Sequence, residues 1–172
     1  MDLELDCVKC TKWEERIEPC MEFESEEQAY QCLDYWQEKL FLHDWIFKLY
    51  LAKPESLDRA DEEVSVSGRI DFTFSQKCGV IQIVELTDDT RNRIVKICHE
   101  KVLIHELLHA NYNWLAPPSS YEGMYVEEKE HQLLEQMAKS LLMVRYGLDY
   151  NWFINFTRKE WKNDSSIEKA PT

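Results

Sequence analysis

His105-Glu106-Leu107-Leu108-His109 places two imidazoles and a carboxylate within five residues. On a helix, positions i and i+4 lie about 40° apart around the axis and roughly 6 Å apart along it, so both histidines can reach one metal ion. Glu106 projects about 100° away from His105, which sets its carboxylate beside the ion rather than on it. A Lewis acid that polarises a carbonyl and acidifies water, next to a carboxylate that accepts a proton, is the equipment for amide hydrolysis. Zinc is the ion such a motif takes, and Glu106 is the candidate general base.

These three residues need an element that holds them inside the protein. Ile94 to Ala110 contains no glycine or proline and is apolar on nearly every side, which predicts a buried helix. Histidines in such a helix require partners or a metal. A catalytic zinc takes three protein ligands and keeps a position open, so a third ligand must come from elsewhere. A second helix is expected over residues 124–146, ended by Gly147, and it carries Glu127, Glu128, Glu130, His131 and Glu135. With Val126 at 0° and about 100° per residue, its apolar positions Val126, Leu133, Leu134, Met137, Leu141 and Val144 centre at about 40°. Glu130 lies in the middle of that sector and is the expected third ligand. Glu127 and His131 lie at its edges, as alternative ligands or as groups that orient a ligating histidine. Glu128 fits a solvated first helical turn, and Glu135 falls outside the sector. His131, Tyr112, Tyr121 and Tyr125 are candidate donors to a developing oxyanion.

The cysteines offer a second cluster. Cys7, Cys10, Cys20 and either Cys32 or His43 can supply four ligands to a structural zinc, but the second C-x-x-C knuckle usual in such sites is missing. A reduced, flexible N-terminal segment is the expected state. The acidic start Met1-Asp2-Leu3-Glu4 lacks a signal peptide's basic flank and apolar run, and no segment has the length of a membrane span. With six cysteines and no export signal, the expected location is the cytoplasm.

The chain of 172 residues fits one domain, and 6 Trp, 8 Tyr and 7 Phe provide large packing surfaces. A formal charge of −13 argues against nucleic acid as a partner, because such binding rests on clustered Lys and Arg. Ser25-Glu26-Glu27-Gln28 has the form of a capping box and opens a helix to about Phe41. Alternating patterns predict strands over Trp45 to Leu51, over Val64 to Phe74 with a break at Gly68, and over Val80 to Leu86. Thr87 to Thr90 offers caps for the motif helix. The organisation expected is a Cys-containing segment 1–24, one domain 25–162 and a frayed tail 163–172.

From about Tyr35 to Leu142, the chain resembles the small single-domain gluzincin-type zinc metallopeptidases of phages and prophages. The residues carrying the resemblance are Trp36 to Leu40 with Asp44-Trp45-Ile46, Val80 to Leu86, His105 to His109, and Glu130 to Ala138. The resemblance implies a zincin-like α+β fold: an N-terminal helix, a small, mainly antiparallel three-stranded sheet, the motif helix and a ligand-bearing second helix. It further implies His105 and His109 as ligands, Glu106 as general base, a glutamate on the later helix as third ligand, and an edge strand, Val80 to Leu86, that pairs with an extended peptide. Relatives that cut repressors carry E-x-x-A-N on the second helix. Glu135-Gln136-Met137-Ala138-Lys139 matches this only in part, so a repressor substrate is not implied. Two readings follow: a zinc peptidase acting on a peptide or protein, and a catalytically silent zinc-binding module of the same fold with a regulatory or protein-interaction role.

Overall fold

The computed structural model describes residues 13–57, 67–87, 97–115 and 124–153, without the side chains of 113–115 and 124–128. Its elements are α1 (Glu26–Lys39), β1 (Ile46–Ala52), the single turn α2 (Pro54–Leu57), β2 (Gly68–Thr73), β3 (Cys78–Val84), α3 (His99–Leu115) and α4 (Met124–Tyr146). The architecture is α+β, a small open sheet of three strands covered on one face by helices. Among the described residues no helix is long and apolar enough to cross a membrane.

Ser25 caps α1: its Oγ accepts the amide of Gln28 at 3.2 Å, while the Gln28 side chain reaches back to the amide of Glu24 at 2.7 Å. Ala29, Cys32, Leu33 and Trp36 then form its buried stripe. The sheet order is β1-β3-β2, with β1 parallel and β2 antiparallel to β3. This corrects the expected mainly antiparallel arrangement: the sheet is mixed. It also corrects the expected edge strand, since β3 lies between its two neighbours. Alternation along a strand tells which side chains are buried and says nothing about which strand lies beside it.

The two edges differ. On β1 the outward amide of Leu49 donates to the Tyr30 hydroxyl of α1 at 3.1 Å, so that edge is closed off by the helix. On β2 the carbonyl of Ser67 accepts from Val84 at 3.0 Å, and the register Gly68↔Ile83 continues the alternation. Arg69, Asp71 and Thr73 therefore turn their peptide groups toward β3, and Gly68, Ile70 and Phe72 turn theirs to the outer edge. The turn into β3 uses Lys77 in the left-handed region, φ 46°. Gly79 lies inside β3.

The motif helix starts later than its apolar run suggests. Residues 97 and 98 are not helical, so the expected caps at Thr87 to Thr90 do not serve this helix. Its first amides are met instead by distant backbone: His99 donates to the Met21 carbonyl and Glu100 to that of Cys20, both at 3.1 Å. Residues 13–24 thus contribute to the core through Trp13, Cys20 and Phe23. The fully buried Glu100 ties these parts together. Its carboxylate accepts from the Cys20 amide and Trp36 Nε1, each at 2.8 Å, from the Tyr146 hydroxyl at 2.9 Å and from Trp13 Nε1 at 3.4 Å. Arg145 Nε lies 3.8 Å away.

Helix α4 spans the residues expected of it, and Gly147 ends it at φ 61°. Its buried face differs from the expected one. Leu133, Met137 and Val144 are 48%, 41% and 85% exposed, whereas Leu134, Ala138 and Leu142 are buried. On the same helical wheel these three lie at about 80°, 120° and 160°, which turns the inner face by about 80°. The large apolar side chains pulled the predicted sector the wrong way, and the small Ala138 marks the true contact. Residues 150–153 are helical, and the expectations for residues 58–66, 88–96 and the tail lie outside the described residues.

Candidate metal centre

The turned face of α4 decides what meets the motif. His131, at about 140° on the wheel, lies on the stripe of Leu134, Ala138 and Leu142 and therefore faces α3. Its ring stacks on that of His105, with centroids 5.4 Å apart and planes at 22°, and stands edge-on to that of His109 at 4.8 Å. The rings of His105 and His109 are 5.0 Å apart. One nitrogen from each of the three lies within 4.8 Å of the other two, and among the described residues no other trio of His, Cys, Asp or Glu converges in this way.

The candidate ligand Glu130 stands behind this trio. Its Oε1 is 3.6 Å from Nδ1 of His109. Glu135, placed off the inner face by the sequence, holds the matching position for the other motif histidine, with Oε2 3.7 Å from Nδ1 of His105. A carboxylate at one nitrogen of a ligating imidazole holds the proton there and leaves the opposite lone pair for a metal. The His105 Nδ1 is buried and without a hydrogen-bond partner, and the nearby Glu135 oxygen lies just beyond hydrogen-bond range.

Charge supports the same assignment of roles. Burial, with smaller contributions from His131 and Lys101, lowers the pKa of His105 to about 4. Burial together with His105 and His131 lowers that of His109 to about 3. Both imidazoles are then neutral at pH 7, the state a metal requires. Burial works to raise the pKa of Glu135, but Lys101 at 2.7 Å and Lys139 at 3.1 Å overcome it and hold the carboxyl below its ordinary value. For Glu106 the direction is opposite: burial alone pushes it up to about 8, which favours the neutral acid at pH 7, and the ionised form a base needs would be favoured by a cation bound beside it.

Glu106 faces an open cleft of about 210 Å³, lined by Ser67, Gly68, Lys101, Val102, His105, His131 and Glu135. The cleft brings together the first residue of β2, the Glu106 carboxylate and two of the three histidines, His105 and His131. Tyr112 packs against the core and does not line it. Tyr121 and the side chains of Tyr125 and Glu127 lie outside the described residues, as do Cys7 and Cys10. Cys20 and Cys32 are buried, free thiols. Burial raises Cys20 to about 11, and its Sγ donates to the Glu22 carbonyl at 3.1 Å, so it is a protonated core residue.

Of the residues lining the cleft, Lys101 drew no notice in the sequence, Gly68 read only as a strand break, and Glu135 was placed off the inner face. Lys101 stands four residues before His105 and Glu135 four after His131, a spacing that puts each on the face of its histidine. The chain was compared with known proteins, and no family model, curated protein or solved structure matches it.

Proposed function

We propose that the chain is a zinc-dependent peptidase, with His105, His109 and His131 holding the ion and Glu106 as general base. The observation that carries this reading is the convergence of three imidazoles, two of which, His105 and His131, line the cleft that Glu106 faces. Three nitrogen ligands with an open fourth position are the donor set of a catalytic zinc site. Bound there, zinc supplies Lewis acidity toward a water and a carbonyl. Glu106, beside His105 on α3, takes the proton of the attacking water and delivers it to the departing amine. Glu130 and Glu135 orient the rings of His109 and His105. The substrate is an extended peptide or protein segment laid along the outer edge of β2, where Gly68, Ile70 and Phe72 offer backbone groups.

The test combines metal content with turnover. One zinc per chain and cleavage of members of a peptide library, lost in Glu106→Gln with zinc retained, supports the proposal. No zinc after incubation with the ion rejects it. Zinc uptake without cleavage of any peptide favours the silent zinc-binding module, a reading to which the near-complete covering of Glu106, 6% exposed, lends some weight.

A further inference from the structure

We propose that Gly68 is the positioning residue for the Glu106 carboxylate, an inference that rests on the metallopeptidase reading. The three described glycines are glycines for different reasons. Gly147 has φ 61°, and a Cβ added there would meet nothing within 4 Å, so its role is conformational. Gly79 would bring a Cβ to 3.1 Å from the Phe47 ring, a tight contact that small shifts can absorb. Gly68 has no left-handed backbone to explain it, yet a Cβ there would fall 2.4 Å from Val102 Cγ1, 2.8 Å from Glu106 Oε1 and 3.3 Å from Glu106 Cγ. What the position demands is space.

That space is occupied by the candidate base. Gly68, Ile70 and Phe72 turn the same side of β2 inward, and Ile70 and Phe72 pack there against the core. At Gly68 the strand offers only backbone, so Glu106 rests directly on it. Among the described residues no hydrogen bond or ion pair holds the Glu106 carboxylate. Contact with the β2 backbone and Val102 therefore sets where it points. The same contact brings the outer edge of β2, the proposed seat of the substrate, against the base. One methyl group at residue 68 would push the carboxylate off its position by a fraction of an ångström, and displacements of this order in a catalytic group are costly.

Gly68→Ala alone meets Val102 first, and that clash can unfold the strand. Val102→Ala removes it, leaving the Glu106 contact in Gly68→Ala/Val102→Ala, for which Val102→Ala is the reference. Each protein, with Glu106→Gln beside them, is loaded with cobalt(II), and the metal per chain, visible spectrum, kcat and KM are measured. The expected result is one cobalt in every protein and a spectral change in the double variant relative to its reference, similar in direction to that of Glu106→Gln. In addition kcat falls tenfold or more while KM stays within twofold. A double variant with the spectrum and kcat of Val102→Ala overturns the role of Gly68 and leaves the metal site standing. Absence of cobalt from the wild-type protein overturns the metal reading itself, and the role of Gly68 with it. Cobalt uptake without peptide cleavage leaves the spectra to decide.

Discussion

The ring of His131 lies stacked on that of His105, with centroids 5.4 Å apart and planes at 22°, so α4 sets an imidazole against the two motif rings while its carboxylates, Glu130 and Glu135, stand at their Nδ1 atoms. His131→Ala should therefore remove one of three ligands, while Glu130→Ala removes only a group near Nδ1 of His109. Loss of an orienting carboxylate costs metal affinity about 10 to 100-fold. The expected order of affinities, measured by competition with a chelator, is wild type, then Glu130→Ala, then His131→Ala. A Glu130→Ala protein weaker than His131→Ala would return Glu130 to the place of third ligand.

Zinc should stabilise the fold, because all three histidines join two helices that are otherwise packed by side chains. An ion present at 100 times its Kd contributes about 2.7 kcal/mol if the unfolded chain does not bind it. For a domain of this size that corresponds to a rise of about 5 to 10 °C in Tm. Melting curves with zinc and with excess EDTA measure it directly. His131→Ala should show less than half of the shift, and an equal shift would mean that the ion stabilises the protein from another site.

Much of this site can be read before folding is considered, and the rest fails for identifiable reasons. His105, Glu106 and His109 lie within one turn of a single helix, so their relation is local and the spacing determines it. His131 depends on which face of α4 turns inward, and there Leu133 and Met137 outweigh the small Ala138 in any apolar average although they are exposed. The strand segments follow from alternation, but β1 pairs with β3 across the intervening β2, a long-range choice that no local pattern encodes. Gly68 read as a break in a strand. Its reason, the carboxylate of Glu106 against its Cα, exists only once β2 meets α3.

Glu100 should be the most sensitive structural position outside the metal centre. Its carboxylate joins the backbone at Cys20, Trp36 of α1 and Tyr146 of α4, with Arg145 at 3.8 Å. Removing it leaves the buried Cys20 amide and the indole N–H groups of Trp36 and Trp13 without their acceptor, and the Arg145 guanidinium without the charge 3.8 Å away. Loss of one partner of a buried pair costs about 3 to 5 kcal/mol, and Glu100→Ala is expected in that range by urea denaturation. Glu100→Gln keeps the shape and one acceptor oxygen and should cost less. Equal stability of Glu100→Ala and wild type would show that these donors find other acceptors.

Acid should destabilise the metal-free protein through His99. This residue is 1% exposed, its Nδ1 accepts the Phe23 amide at 3.0 Å, and burial lowers its pKa to about 4. An unfolded histidine titrates near about 6.5, so between that pH and about 4 the unfolded chain binds a proton that the folded chain does not. Stability consequently falls as the pH drops through this window, by a contribution on the order of 3 kcal/mol from His99. His105 and His109 act in the same direction, so the measurement compares urea stabilities in EDTA at pH 7 and pH 4.5 for wild type and His99→Leu. The variant starts less stable, because the Phe23 amide loses its acceptor, but it should lose less on acidification. Parallel losses in the two proteins would mean that His99 takes up its proton in the folded state as readily as in the unfolded one.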